Sequence, residues 1–407
     1  MPTRDGFWAL DTVNNTAVPD TSLPLQSSHM VLTPDGKFAY VSMEVSNQGV
    51  PGNSVEVVST VSHAVVATVT VGSTPTALGV TPDGKSVYVA NSGWSAVWVI
   101  GTDTNTITAT IATGNTPNSI AVAPDGAFVW VTHYLDNSIS VIDNATHTVA
   151  TTVALPGRPQ NIVISADGKR AYVSNGNAVS VIDTATRAVL NTIPLASQAG
   201  GIAVTPDGRF VYVTSGNFFV GYAISVIDTA SNAVVATIPD TEGGNPAPLS
   251  MSPDGSRLYV SNSNYSNSAS SVSVFSTATN TPIATILTGI ATGPVVFVPA
   301  GNAALSSVSF APSNVTGGAT STGTVFLNGG APPEGATISL TSDNPSVTVP
   351  ASVTVAAGSQ TADFPVTTSA VTATEAVTVS ATYKSTSKTA EIILAPSGEV
   401  TVASVSV

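Results

Sequence analysis

The tetrapeptide Thr/Ser-Pro-Asp-Gly and its close variants recur along the chain every 40 to 48 residues, with the aspartate at Asp35, Asp83, Asp125, Asp167, Asp207 and Asp254. A period of that length marks a repeat architecture, in which each unit buries its apolar face against the next. Proline at the second turn position presets φ and glycine at the fourth accepts a positive φ, so each copy reads as a tight turn. A short apolar segment such as Ala77-Leu78-Gly79-Val80 precedes the turn, and an alternating one such as Val87-Tyr88-Val89-Ala90-Asn91 follows it. Third and fourth segments, of the kind Ile139-Ser140-Val141-Ile142-Asp143 and Val149-Ala150-Thr151-Thr152-Val153, complete the unit. Four short antiparallel strands per repeat make one propeller blade.

Variation in repeat length is confined to one loop. From the second-strand aromatic (Tyr40, Tyr88, Trp130, Tyr172, Tyr212) to the start of the third strand (Val55, Val97, Ile139, Val179, Ile224) the chain takes 15, 9, 9, 7 and 12 residues. What remains of each repeat is 33 residues in four cases and 35 in the fifth. The same spacing carried on from Asp254 reaches Ala300, which predicts a seventh turn with alanine in place of aspartate. At the other end Phe7 precedes Asp35 by 28 residues, the distance that separates Val55 from Asp83. Phe7 to Thr12 therefore reads as a third strand whose first strand is supplied by Gly293 to Val298. The expectation is an all-β chain: a seven-bladed β-propeller over residues 1–303, closed by a composite blade that joins both ends and leaves no open sheet edge.

The runs Thr81 to Asn91 (TPDGKSVYVAN) and Ile224 to Ala230 (ISVIDTA) resemble the YVTN family of β-propeller repeats, over roughly three quarters of the chain. That resemblance implies bacterial and archaeal cell-surface and surface-layer proteins. Related propellers include lactonases and haem or quinone dehydrogenase domains.

Composition shifts near residue 304 to Ser, Thr, Val and Ala in short alternating stretches such as Ser352-Val353-Thr354-Val355 and Val377 to Tyr383. Strands at regular spacing with no helical period predict a β-sandwich over residues 304–395. It resembles bacterial immunoglobulin-like modules, on the opening Pro312-Ser313-Asn314-Val315-Thr316-Gly317-Gly318, and such modules are usually spacers. Val402 to Val407 echo Leu305 to Phe310, so residues 396–407 read as a linker or the first strand of a further module in a longer chain. Residues 303–310 fit either the last blade or the sandwich, and the sandwich is preferred.

Charge narrows the partners. Only 9% of the residues are charged, and 11 basic against 24 acidic side chains leave a net charge of −13. Phosphate binding needs clustered Lys and Arg, which the chain lacks, so nucleic acid is not an expected partner. No run of about 18 apolar residues predicts a membrane span. The absence of cysteine removes disulfides, thiolate metal sites and a cysteine nucleophile. Met-Pro-Thr-Arg-Asp at the N-terminus has no apolar signal core, so the chain is either cytoplasmic or has lost a leader; the family resemblance favours an extracellular or cell-surface setting. No cofactor or metal is expected, since no Cys-x-x-Cys-His, P-loop, nucleophile elbow or zinc spacing occurs.

Chain direction puts the Pro-Asp-Gly turns at one end of each blade and the variable loops at the other, beside the links between blades. Loops on a rigid frame are where recognition residues collect. The variable loops carry Trp94, Tyr134, Phe218, Phe219, Tyr222 and Tyr265, with Asn91, Asn175 and Asn262. Rings that supply apolar area beside amides that donate and accept suit a glycan or a protein ligand, although rings in such loops also serve simply to anchor the loop. His29, Glu44, His133 and Arg158 map to the same side, where two histidines and a carboxylate with an anion-holding arginine would serve a hydrolase or lyase at the channel mouth. The alternative is ordinary polar decoration of loops. His63 and His147 occupy a turn position that elsewhere holds Asn15, Asn105, Arg187, Asn232 and Asn280, and read as residues tolerant of positive φ.

Overall fold

The computed structural model describes residues 8–11, 16–19, 27–45, 51–60, 62, 64–217, 221–239, 245–263, 270–289, 295–297, 303–332, 335–356, 359–384 and 386–396. The chain divides into two compact units, Met1–Phe297 and Val298–Val407.

In the first unit the described residues form six four-stranded antiparallel sheets, each built from consecutive strands. We number them blades 1 to 6, covering residues 27–70, 75–112, 117–154, 159–194, 199–239 and 245–289. First strands of successive blades pack on one another (Pro75–Val80 against Pro117–Val122, and so on), which sets them innermost. Fourth strands lie outermost, and Val65–Thr70 and Val189–Pro194 are mostly exposed. Second strands are the core: Tyr40, Tyr88, Trp130, Tyr212 and Tyr259 are each fully buried.

Each turn is held as its residues dictate. The hydroxyls of Thr81 and Thr205 donate to Asp83 and Asp207 at 2.6 Å, and Ser165 does the same to Asp167. The hydroxyl together with a backbone N–H holds each of these carboxyls below the usual range. Glycines 36, 84, 126, 168, 208 and 255 take φ between 66° and 72°. At the hairpin between third and fourth strands, Asn105, His147, Arg187, Asn232 and Asn280 all have φ between 51° and 64°; His63 lies outside the described residues.

Blades are stitched by second-strand tyrosines that reach the third-to-fourth hairpin of the next blade. The Tyr40 hydroxyl donates to Asn105 Oδ1 of the next blade at 2.5 Å, Tyr88 to Asn144 at 2.6 Å, and Tyr212 to Asn280 at 3.0 Å. Where the second-strand aromatic is Trp130, the Arg187 guanidinium of the next blade lies over Phe128 (4.5 Å) and Trp130 (5.7 Å) instead. Near the inner edge every first strand shifts register against the second, as between Pro117 and Ser119. Some of the carbonyls there accept from the preceding blade, as in Thr76 to Pro117 (2.9 Å), Asn118 to Gln160 (2.7 Å) and Ser174 to Gly200 (2.7 Å).

Outside these blades, Trp8–Asp11 pairs with Thr16–Pro19 as a two-stranded antiparallel hairpin. Phe7 and the predicted turn at Ala300 lie outside the described residues. Residues 295–297 are not in a strand, and Val295 and Phe297 pack on the core of blade 6, with the Phe297 ring 5.3 Å from that of Tyr259.

The second unit is two sheets around one core. Leu305–Ala311, Thr320–Leu327, Thr361–Thr368 and Val347–Thr348 form one sheet in that order. Asn314–Thr316, Thr386–Ala395, Glu375–Tyr383, Ala336–Ser342 and Ser352–Val355 form the other. Leu305–Ala311 thus belongs to this unit by its pairing with Thr320–Leu327. Inward residues alternate along each strand, and Val325, Ile338, Phe364, Val377 and Ile392 meet in one apolar cluster.

Candidate functional site

Register fixes which segments share an end of the blade. Arg170 pairs with Asp183 and Phe210 with Asp228, so the Pro-Asp-Gly turns and the third-to-fourth hairpins lie together. The variable loops lie at the other end with the links: Tyr134 N–H donates to Thr116 O, Gly176 to Arg158 O and Gly216 to Gln198 O, each at 3.1 Å.

On this loop face a hydrogen-bonded arc runs from blade 2 to blade 4. Asn91 leads into a single 3₁₀ turn, Ser92–Trp94, which ends on Ser95 at φ 50°. Trp94 stands 64% exposed, its ring edge-on to Trp98 at 6.3 Å. The Ser95 hydroxyl donates to Asn115 Oδ1 at 3.0 Å, and the Asn115 N–H donates to Asp136 Oδ2 at 2.6 Å. In the same loop as Asp136, Tyr134 lies under the Arg158 guanidinium at 5.3 Å from the ring centroid. Leu135 between them is 56% exposed. The arc presents flat apolar surface, amides, a hydroxyl and one cation from segments pinned to each other by backbone hydrogen bonds.

The other expected site residues sit differently. Asn91, His133, Asn175 and Asn262 hold one repeat position, three residues after the second-strand aromatic, and all four are buried. In blade 3 the link glycine covers this position: a Cβ on Gly114 would stand 2.7 Å from His133 Cγ and 2.8 Å from Asp136 Oδ2. His133 Nε2 meets the Ser140 hydroxyl at 2.9 Å, while Nδ1 has no hydrogen-bond partner. Burial, only partly opposed by the Asp136 charge and the Gly114 backbone, takes its pKa down to about 4. His29 is half-buried, its Nδ1 enclosed without a hydrogen-bond partner, and desolvation lowers its pKa to about 4. It lies in blade 1, so blade 2 intervenes between the two histidines. Glu44 is in the second strand of blade 1, between Phe38 and Val45. The structure therefore joins Arg158 to Tyr134 and leaves His29 in a different blade. Among the described residues no three His, Asp or Glu side chains gather as metal ligands would.

Tyr222 pairs with Gly216 in an extension of the hairpin that follows Tyr212. Phe218, Phe219 and Tyr265 lie outside the described residues. Sequence reasoning passed over Ser95 and Asn115, and it read the buried asparagines as loop residues. The signal was present: a residue type held at one fixed distance from a core aromatic in repeat after repeat belongs to the scaffold.

The blades, their innermost first strands and their radial stitching decide the architecture. The fold is that of a β-propeller. Residues 11–199 match the Choice-of-anchor I domain, which points to a cell-surface-related propeller. Solved structures agree on the fold. The hydrazine synthase of Kuenenia stuttgartiensis is 24% identical, with a TM-score of 0.60 over 69% of this chain and 92% of that one. Dihydro-haem d1 dehydrogenase NirN is 14% identical, with a TM-score of 0.53 over 70% of this chain and 71% of that one. No curated protein sequence matches the chain. Among the described residues no helix is long and apolar enough to cross a membrane.

Proposed function

We propose that this chain is an extracellular or cell-surface binding module whose loop face recognises a glycan or protein ligand. In this reading the propeller is of the YVTN type, has seven blades over residues 1–303 and closes through both chain ends. Residues 304–395 are an immunoglobulin-like spacer, and residues 396–407 lead to a further module. The carrying observation is the exposed Trp94 ring, held against Trp98 on a 3₁₀ turn, on the same loop face as the Tyr134–Arg158 stack. An aromatic held rigid in water gives contact area to a ligand at little cost in conformational entropy. The ligand-facing set is Trp94, Tyr134 and Tyr222, together with Phe218, Phe219 and Tyr265. A lactonase-like or lyase-like site at the channel mouth has less support, because His133 is buried and His29 half-buried, both are held neutral near pH 7, and they lie a blade apart.

The test is binding to a glycan array and to isolated cell walls by the wild type and by a Trp94→Ala, Tyr134→Ala double variant. The reading expects at least a tenfold loss in the variant with an unchanged thermal midpoint. Binding that survives both substitutions overturns it.

A further inference from the structure

The described cations of the propeller are segregated by end. Among the described residues Lys37, Lys85, Lys169, Arg170, Arg209 and Arg257 follow the Pro-Asp-Gly turns, and Arg187 sits in a hairpin at that same end. Arg158 is the one described cation of the loop face. It has no carboxylate within ion-pair distance among the described residues, its carbonyl is fixed by the Gly176 N–H, and its guanidinium is exposed over Tyr134. The lone carboxylate of the arc, Asp136, is turned to the blade 2–3 link, where it accepts from Asn115.

We propose that Arg158, stacked on Tyr134, recognises a carboxylate, and that the ligand of the loop face is an acidic glycan of the uronic-acid class. This rests on the reading of the loop face as a ligand site. Trp94 and Tyr134 supply ring faces on which sugar rings stack, Ser95 and Asn115 supply hydroxyl and amide groups, and Arg158 supplies the planar donor fork that fits a carboxylate. The net charge of −13 does not forbid an anionic ligand there. The acidic turns lie a strand length away, about 20 Å for six residues, and charges are screened over about 8 Å at physiological salt. A sugar is favoured over an acidic peptide because the arc offers one cation beside wide apolar rings, where an acidic peptide calls for several cations.

The experiment measures affinity for polygalacturonate, for its fully methyl-esterified form and for poly-glutamate, by calorimetry at 0.15 M salt. Esterification keeps the sugar ring and removes the charge. The proposal expects polygalacturonate to bind at least tenfold more tightly than its ester, as one charge-assisted contact provides. Arg158→Gln should erase that difference while leaving the thermal midpoint unchanged, Arg158→Lys should keep part of it, and Trp94→Ala should weaken both polymers. Equal binding of acid and ester, both lost in Trp94→Ala, overturns carboxylate recognition and leaves the glycan reading standing. Tight binding of poly-glutamate alone overturns the glycan class. Binding of none of the three overturns this proposal, and the underlying reading falls with it only if the array and cell walls also give no binding that depends on Trp94 and Tyr134.

Discussion

Among the six described turns of the propeller one lacks a part that the other five share, and restoring it should stabilise the molecule. In blades 1, 2, 4, 5 and 6 the first turn residue is Thr33, Thr81, Ser165, Thr205 or Ser252. Its hydroxyl donates to the turn aspartate at 2.5–2.6 Å and accepts the backbone N–H five residues on at 2.9–3.1 Å. Blade 3 has Ala123 there, and Asp125 is left with the Ala127 N–H. The backbone of this turn otherwise matches the rest, with Gly126 donating to Ala123 O at 2.8 Å as Gly84 donates to Thr81 O. Ala123→Thr therefore adds two hydrogen bonds, one to a carboxylate, at about 0.5–1.5 kcal/mol each. Set against the ordering of the hydroxyl rotor, the gain is about 1–2 kcal/mol. Ala123→Val adds the same volume without the hydroxyl and isolates the hydrogen bonds from the buried methyl groups. Urea unfolding should show a raised midpoint at unchanged slope for Thr over Val, and exchange of the Phe128 amide should slow. In an Asp125→Ala background the advantage should shrink by about half. If Thr and Val prove equally stable, the hydroxyl is not what secures these turns.

Two further outcomes follow from the buried groups. His29 and His133 have folded pKa values near 4 against an ordinary 6.5, so the unfolded chain takes up their protons first. Their contribution is whole above about pH 6.5 and falls as the pH drops towards 4, by up to about 3 kcal/mol each. His133→Asn, the residue at that position in blades 2, 4 and 6, should roughly halve the loss of urea stability between pH 7 and pH 4.5. An undiminished loss would mean that other groups carry the acid sensitivity. Trp130 and Arg187 replace a tyrosine–asparagine pair found between other blades, so Arg187→Asn should cost about 1–2 kcal/mol alone and less with Trp130→Tyr, read as the coupling in a double-mutant cycle.

The blade pattern was legible because period, turn chemistry and alternation pointed to the same strands. Turn and hairpin positions came out as expected, down to the positive φ of Asn105, His147 and Arg187. The loop face was legible only in outline. Trp94 and Tyr134 were placed on that face because large rings in short variable loops stand out. The links were missed because a stretch such as Gly114-Asn115-Thr116-Pro117 has no period to betray its role, and its importance comes from contacts with Ser95 and Asp136 of two different loops. Depth was misjudged for Asn91, Asn175 and Asn262. A polar residue at a strand end gives no sign of whether a neighbouring link covers it. The loops after Tyr40 and Tyr212 are shorter than the spacing to the third strand implied, since the strands extend to Val45 and Asn217 and resume at Pro51 and Gly221.

The charge count of the chain points to the wrong end of the propeller. Most of its described charge lies at the turn end, yet there many of the charged groups already have partners, in the backbone or in one another. Asp143, Asp183 and Asp228 accept from backbone N–H groups of their own hairpins. Lys37 pairs with Asp35, Lys169 with Asp167, and Arg170 with Asp183 at 2.7 Å. A charge already paired has less to gain from a ligand, because the new contact must first replace the old one. Among the described residues of the loop end, Arg158 has the Tyr134 ring beneath it and no carboxylate paired with it, and Trp94 is 64% exposed. Free energy for recognition comes from groups whose bonding capacity is still unspent, and among the described residues Arg158 and Trp94 on the loop face are such groups.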